Sequence, residues 1–202
     1  MRLYSYKITR DYGFAPNPFH GVLTLANCKP GIRAGASVGD LIVGCGSKAN
    51  KLAARVIFVA RVSGKCTFQQ YWDDPRFNVK RAFFYGSVSR AYGDNIYHHD
   101  PHGDWIQERS HHSLADGSLN EANLERDTSK DSVLWSSDFV YFGGSAPQIP
   151  DDLRKMGGDD LYPTVRDYRN SYSEKMIEAV EAWFGGLPRG RQGWPAEWEF
   201  GG

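Results

Sequence analysis

Cysteine is scarce in this 202-residue chain, which has only Cys28, Cys45 and Cys66, at wide and unmatched spacings. This spacing excludes a disulfide framework and offers no CxxC pair for zinc, so we expect reduced thiols. The chain also lacks an apolar run as long as a bilayer requires, and its first residues contain no signal-peptide core. We therefore predict a cytoplasmic protein that does not contact a membrane.

The common catalytic signatures are also missing. The sequence contains no HExxH, no GxSxG, no P-loop and no GxGxxG between a strand and a helix. Two histidine groups, His98, His99 and His102 and then His111 and His112, match no known zinc spacing. We therefore predict neither a metal nor a cofactor.

Charge is balanced overall but unevenly distributed along the chain. Residues 1–93 carry 14 Lys and Arg against 4 Asp and Glu, whereas residues 94–202 carry 10 against 20. Segment 29–66 has seven basic residues and Asp40 as its one acidic residue. A cationic face of this kind attracts the phosphates of a nucleic acid or nucleotide, although the two halves could equally neutralise each other on folding.

The length and patterning favour one domain over residues 1–202. Region 94–131 is polar and turn-rich, which indicates a loop-rich functional insertion. A helix is predicted at 171–186, with a capping box formed by Ser171 and Glu174. Its apolar face, which includes Trp183, is assigned to the core, and 187–202 forms a tail.

Strand patterns predominate, so we predict an α+β fold that is mainly β. Alternation and β-branched residues mark the strands, and Thr67 is the predicted cap of a short helix. The predicted strands lie at 3–9, 41–45, 52–64 and 133–144, and the short helix lies at 67–72.

Segment 10–33 has the highest density of conformationally special residues. Three prolines and three glycines shape its backbone, and the side chains between them offer aromatic rings, an amide, a thiol and cations. We interpret the segment as part of a ligand site, the alternative being an elaborate loop that packs its own aromatic rings. The side chains concerned are Phe14, Asn17, Phe19, His20, Cys28, Lys29 and Arg33.

A second group of candidate ligand-binding residues lies in the polar insertion 94–131. These side chains have the hydrogen-bonding capacity to hold a ligand, and we expect them to share one pocket with segment 10–33. A further alternative is that Cys28 or Ser110 is a nucleophile and that His112 activates it. The group consists of Asn95, Tyr97, Ser110, His112 and Asp127.

Several stretches together carry a family resemblance. They are GFAPNPFHGVLTLANCKPGIR, VGDLIVGCGS, QQYWDDPRF, GDNIYH and DSVLWSSDFVYFG. These stretches resemble the second type of nucleotide modification-associated domain, which is found in bacteria and phages alongside systems that alter DNA bases. The order of elements over 38–72 is also similar to that of the PUA-like superfamily.

The resemblance implies a PUA-like open β-barrel with peripheral helices. It also implies that the domain recognises a modified base or nucleotide, and we expect this base to lie in DNA. The implied setting is a nucleic-acid modification or phage-defence system, whose proteins are further candidate partners. We assign stacking to Phe14, Phe19 and Tyr97, edge recognition to Asn17, Asn95 and His112, and phosphate contact to Lys29 and Arg33.

Two other functions remain open. One is an enzyme that acts on a modified nucleotide or nucleic acid, with His and Asp residues of 94–127 as acid and base. The other is a protein-binding accessory of a modification system. A His and an Asp within hydrogen-bond reach of each other at the site would favour the enzyme, whereas an aromatic slot without such a pair would favour recognition alone.

Overall fold

The computed structural model describes residues 1–164 and 167–198. Its helix and strand contents are about equal, so the fold is mixed α/β and the prediction of a mainly β chain is wrong. The α-helices that the sequence did not predict lie at Pro30–Gly35, Val88–Ala91 and Glu121–Thr128, and such short segments give little periodic signal.

The structure contains strands, α-helices and 3₁₀ segments, each numbered in chain order within its type. The strands are β1 (Leu3–Lys7), β2 (Leu23–Leu25), β3 (Leu41–Cys45), β4 (Val56–Arg61), β5 (Gly64–Cys66), β6 (Tyr97–His99), β7 (Trp105–Gln107), β8 (Val133–Ser136), β9 (Asp138–Tyr141), β10 (Tyr168–Arg169) and β11 (Gly190–Arg191). The α-helices are α1 (Pro30–Gly35), α2 (Phe68–Asp73), α3 (Val88–Ala91), α4 (Glu121–Thr128) and α5 (Glu174–Gly185). Three 3₁₀ segments cover Pro75–Lys80, Gly143–Ser145 and Asp151–Leu153.

The chain divides into two compact units. Unit 1 consists of Met1–Tyr12, Ala36–Ser63 and Ser136–Gly202, and unit 2 consists of Gly13–Gly35 and Gly64–Trp135. The single domain over 1–202 stays a prediction.

Unit 1 contains a six-stranded sheet in the order β10-β1-β3-β4-β9-β11. Its central strands β3 and β4 pair antiparallel, and their β-branched residues are buried on both faces. Within residues 1–164 and 167–198 the edge strands β10 and β11 do not pair with each other, so the sheet does not close into a barrel.

Helix α5 provides the largest helical contribution to the core of unit 1. Met176, Val180 and Phe184 lie on one face and are fully buried against strand residues such as Val43. The predicted core face is therefore confirmed for these residues. Trp183 is only partly buried at the edge of the same cluster.

The cap of α5 differs from the predicted Ser171 and Glu174 pair. Ser173 is the N-cap, and its hydroxyl accepts a hydrogen bond from the backbone N–H of Met176 at 3.3 Å. The same hydroxyl donates to Asp159 Oδ2 at 2.7 Å. This tertiary contact selects Ser173 over Ser171, which local spacing alone does not show.

The strand predicted over 133–144 is two strands. β8 pairs with β5 in a three-stranded sheet of order β2-β8-β5, whereas β9 pairs with β4. The break falls at Ser137, directly after Ser136, whose hydroxyl accepts from the N–H of Asp138 and donates to Arg61 O at 2.6 Å. Serine side chains that bond nearby backbone groups interrupt a regular ladder in this way.

Unit 2 combines the three-stranded sheet with the β6–β7 hairpin and helices α1 to α4. The predicted Thr67 cap is confirmed, because Thr67 and Gln70 form a reciprocal capping box at α2. The predicted insertion 94–131 is more regular than expected, since it contains β6, β7 and α4.

The predicted tail 187–202 is ordered as far as the structure describes it. β11 joins the edge of the sheet beside β9, and the rings of Trp194 and Trp198 stack with centroids 5.6 Å apart. Residues 199–202 lie outside the described residues.

Candidate functional site

Three side chains from distant parts of the sequence meet in unit 2. Nδ1 of His112 lies 2.7 Å from Oδ2 of Asp127, and Nε2 of His112 lies 3.9 Å from Sγ of Cys28. The imidazole therefore joins a thiol to a carboxylate through its two ring nitrogens. A nucleophile, a base and a group that orients the base have this arrangement in covalent catalysis.

Cys28 is held in an unusual backbone conformation just before α1. Its φ is 58° and that of Lys29 is 43°, both in the left-handed region that residues with a Cβ rarely adopt. Two hydrogen bonds fix it: Cys28 N donates to Asp127 Oδ1 at 3.0 Å, and Arg33 Nε donates to Cys28 O at 2.8 Å. Such strain persists where the surroundings over-determine it, which is frequent at functional sites.

Asp127 lies at the end of α4 and is fully buried. Its carboxylate accepts from His112 and from the N–H of Cys28, from Arg126 Nε at 3.1 Å and from Tyr97 Oη at 3.1 Å. Burial opposes ionisation, but the hydrogen bond and charge of His112 and the charge of Arg126 hold the pKa of Asp127 below its usual value. One ionised carboxylate thus positions both the thiol segment and the imidazole.

His112 is charged at neutral pH in this environment. Burial disfavours the charged ring, but hydrogen bonds to Asp127 and Cys28 outweigh that effect and raise the pKa of His112 to about 9. A positively charged imidazolium beside a sulfur stabilises the negatively charged thiolate, which is the reactive form of cysteine.

The neighbours of His112 fix the position of the ring and its loop. The Phe14 ring meets the imidazole edge-on, with centroids 4.5 Å apart. Asn123 Nδ2 donates to His112 O at 2.8 Å, and Ser110 Oγ accepts from His112 N at 3.2 Å. Ser110 thus supports the backbone of His112. Of the two candidate nucleophiles, Cys28 is the one whose side chain contacts the imidazole.

Arg33 is buried behind the three residues instead of facing solvent. Its guanidinium donates to the backbone carbonyls of Cys28, Asp127, Lys130 and Ser132, the contact to Asp127 O being 2.5 Å long. Burial lowers the pKa of Arg33 to about 10, against the raising effect of the Asp127 charge. This placement favours a positioning role over the predicted phosphate contact.

Asn17 belongs to a different buried network in unit 2. Its Oδ1 accepts from Lys80 Nζ at 2.8 Å and from Phe19 N at 3.2 Å, and its Nδ2 donates to Tyr92 O at 2.9 Å. Lys80 is fully buried, and burial lowers its pKa to about 7 while the charge of Asp94 opposes that shift. These contacts engage both polar atoms of the Asn17 amide and favour a structural role.

The structure thus divides the predicted site residues. Those brought together around His112 are Phe14, Arg33, Tyr97, Ser110 and Asp127, and Cys28 joins them. Asn17 and Phe19 lie in the Lys80 network, and Asn95 lines a separate cavity. His20 is exposed and Lys29 is partly buried. Ligand contact stays a prediction for each of them.

Sequence reasoning missed Lys80, which is fully buried, and Arg126, which is exposed but donates to the buried carboxylate of Asp127. Asp94 was included only as one of the Asp residues of 94–127. A basic residue in a polar stretch reads as exposed, because lysine and arginine are rarely fully buried without partners. One usable signal was GDNIYH, where Asp94 lies two residues before Ile96 and three before Tyr97, both of which are buried. Within residues 1–164 and 167–198, no cluster of three or more His, Cys, Asp or Glu side chains is arranged to hold a metal ion.

A comparison with protein-family models adds an identity to this geometry. The model described as nucleotide modification associated domain 2 matches residues 1–202, the whole chain. The chain belongs to this family. The resemblance predicted from the sequence is thereby confirmed, and it extends beyond residue 150 to the C-terminus. The family's name points to a role in nucleotide modification.

No curated protein and no solved structure matches this nucleotide modification associated domain. In the part of the domain that the structure describes, no helix combines the length and apolarity needed to cross a membrane.

Proposed function

We propose that this domain is a cysteine-dependent enzyme that binds a modified base or nucleotide and acts on it covalently. The observation that carries the proposal is that His112 contacts Cys28 and Asp127 through its two ring nitrogens. The family name supports the nucleotide part of the proposal. In this role Cys28 is the nucleophile, His112 the acid and base, and Asp127 the group that orients the imidazole.

The chemistry follows from the order of these groups. The Cys28 thiolate attacks an electrophilic carbon of the substrate, so that a carbon–sulfur bond forms as the bond to a leaving group breaks. The leaving group takes the proton on Nε2 of His112. Neutral His112 then accepts a proton from water, whose oxygen displaces the thiolate and releases the product. The net reaction is hydrolytic removal of the leaving group.

Recognition of a modified base without chemistry is the rival function. The pairing of His112 with Asp127 at 2.7 Å favours the enzyme, because a reader needs no such pair beside a thiol. A PUA-like relationship, DNA as the polymer, a phage-defence setting and a cytoplasmic location stay predictions from the sequence.

Alkylation by iodoacetamide at pH 7.5, followed by peptide mass spectrometry, tests the activation of Cys28. Cys45 and Cys66 are internal controls, because burial raises their pKa values to about 12 and about 11. We expect Cys28 to react first, and His112→Gln to slow its reaction by about tenfold or more. Reaction of Cys28 no faster than that of Cys66 would contradict thiolate activation.

A trapping experiment tests the function itself. The probes are oligonucleotides that carry 5-hydroxymethyl or formyl pyrimidines, incubated with the protein and separated on a denaturing gel. Wild type and the matched control Cys66→Ser should form a covalent adduct or turn over the probe, whereas Cys28→Ser should lose activity by about 100-fold or more. Binding by Cys28→Ser with neither adduct nor turnover in wild type would support recognition alone.

A further inference from the structure

A cavity in unit 2 is separate from the cysteine site, because none of Cys28, His112 and Asp127 lines it. Its volume is about 230 Å³, and Trp72, Arg81, Asn95, Glu108 and Arg109 are among its lining residues. Neither the thiol nor the imidazole of the proposed catalytic group lines this cavity. The cavity is smaller than the roughly 300–1,000 Å³ typical of sites for drug-sized ligands, so it suits a single small molecule or one residue of a polymer.

Two polar atoms of the residues that line this cavity have no hydrogen-bond partner within the described part of the chain. They are Oδ1 of Asn95 and Nε of Arg81, and both are buried. Asn95 is only 1% exposed, and its Nδ2 is held by Tyr71 O at 2.9 Å. Because an unpartnered buried polar group costs free energy, native structures nearly always supply a partner from a ligand or water.

The two atoms belong to neighbouring positions of the backbone. Arg81 and Asn95 pair across a β-bridge, so their side chains leave the backbone on the same side. The Arg81 Nη2 donates to Trp72 O at 2.7 Å, which fixes the guanidinium. The bridge therefore holds an unpartnered donor and an unpartnered acceptor on neighbouring side chains, and a ligand that offers an acceptor and a donor would match both.

Charge defines what the acceptor on the ligand should be. Arg81 and Arg109 both line the cavity, and the carboxylate of Glu108 lies 2.9 Å from Nε2 of His98. Guanidinium groups match the geometry of phosphate oxygens, and charge-assisted hydrogen bonds to phosphate are stronger than neutral ones. An anionic group is therefore the best partner for this pair of arginines.

The aromatic residues of the cavity do not provide a free stacking platform. Trp72 stacks on the His98 ring at 3.9 Å and lies 3.7 Å from the Arg81 guanidinium, so groups this close to one ring must occupy its opposite faces. Arg109 lies over the Phe84 ring at 4.9 Å. The cavity thus selects its ligand through charge and hydrogen bonding.

We infer that this cavity binds the phosphate-bearing part of a nucleotide. The phosphate accepts from Arg81 and Arg109, and a hydroxyl or amino group of the same nucleotide donates to Asn95 Oδ1. The choice of a nucleotide over another anion rests on the proposed function, which this inference deepens by assigning a phosphate subsite.

Calorimetric titration of the full-length protein tests the inference. The probes are deoxynucleoside 5′-monophosphates, the matching deoxynucleosides and inorganic phosphate. We expect the monophosphates to bind at least about tenfold more tightly than the nucleosides, and Arg81→Gln to weaken monophosphate binding by about 10- to 100-fold. Arg76→Gln, an exposed substitution in the same unit, is the matched control and should change nothing.

Arg109→Gln keeps the test decisive if Arg81→Gln does not fold, because Arg109 is exposed. This substitution should also weaken the binding of monophosphates and leave the binding of nucleosides unchanged. Equal binding of nucleoside and monophosphate, or unchanged binding in the folded arginine variants, would overturn the inference and leave the buried atoms to water. Cys28→Ser should bind monophosphates like wild type, so a failure of the proposed chemistry and a failure of this subsite give different results.

Discussion

Units 1 and 2 differ in what they bury. Unit 1 packs aliphatic strand residues against α5 in one apolar cluster. Unit 2 buries ten polar or charged residues, against six in the described part of unit 1. Buried polar groups are costly unless each is hydrogen-bonded, so they are retained where they position something. The contrast indicates that unit 1 contributes mainly apolar stabilisation and that unit 2 holds the reactive groups in place.

Two buried basic side chains in unit 2 show how this positioning works. Lys80 donates to the carbonyls of Asn17 and Val22, and Arg33 donates to that of Cys28. These three residues lie outside β2 and α1, so the two basic side chains satisfy carbonyls that a helix or sheet would otherwise pair. The loop that contains the thiol is therefore fixed by hydrogen bonds from buried side chains.

The largest effect is expected for an apolar truncation in unit 1. Phe184→Ala should lower the free energy of unfolding by about 3–5 kcal/mol, because the ring is fully buried in the cluster. Trp183→Ala, one position earlier, is the matched control and should cost less than half as much, since Trp183 is only partly buried. Urea denaturation measures both, and similar losses at the two positions would contradict the assigned core face.

The sequence predicted the fold best where local signals and tertiary contacts agree. The strand at 41–45 and the helix capped by Thr67 are confirmed because a short apolar run after the Gly39-Asp40 turn and the capping box specify them locally. The strand break after Ser136 and the cap at Ser173 depend on contacts with Arg61 and Asp159, which lie outside the local segment. Such contacts leave no local pattern, so the boundaries there were wrong.

The candidate site was predicted in its residue types more than in its arrangement. Cys28, His112 and Asp127 were all named from the sequence, but their contact joins positions up to 99 residues apart and could not be derived from spacing. Arg33 was assigned to phosphate from the basic run around it. Its burial depends on four carbonyls that only the folded chain brings together.

A pH series tests whether unit 2 depends on its charged network. The pKa of His112 is about 9 in the folded protein against an ordinary value of 6.5, so its stabilisation is complete below pH 6.5 and is lost as pH rises through 9. We expect the stability of wild type relative to His112→Gln to fall by up to about 3 kcal/mol over this window. Urea unfolding at several pH values measures the difference.

His102→Gln, an exposed histidine in the same unit, serves as the control for this pH series. It should show the same pH dependence as wild type. A wild-type curve parallel to that of His112→Gln between pH 6.5 and 9 would mean that the contact with Asp127 does not raise the pKa of His112.

The smallest effect concerns backbone strain at the thiol. At a φ of 58° glycine avoids the steric cost of a Cβ, so Cys28→Gly should be about 1 kcal/mol more stable than Cys28→Ala. Ala54 in unit 1 has a φ of 60°, and Ala54→Gly should gain a similar amount in thermal or urea unfolding. Both variants relieve strain, but only Cys28→Gly should abolish adduct formation. A Cys28→Gly protein less stable than Cys28→Ala would show that position 28 carries no such strain. The expected result, together with loss of the adduct, would mean that Cys28 contributes its sulfur to the site at a cost in backbone strain.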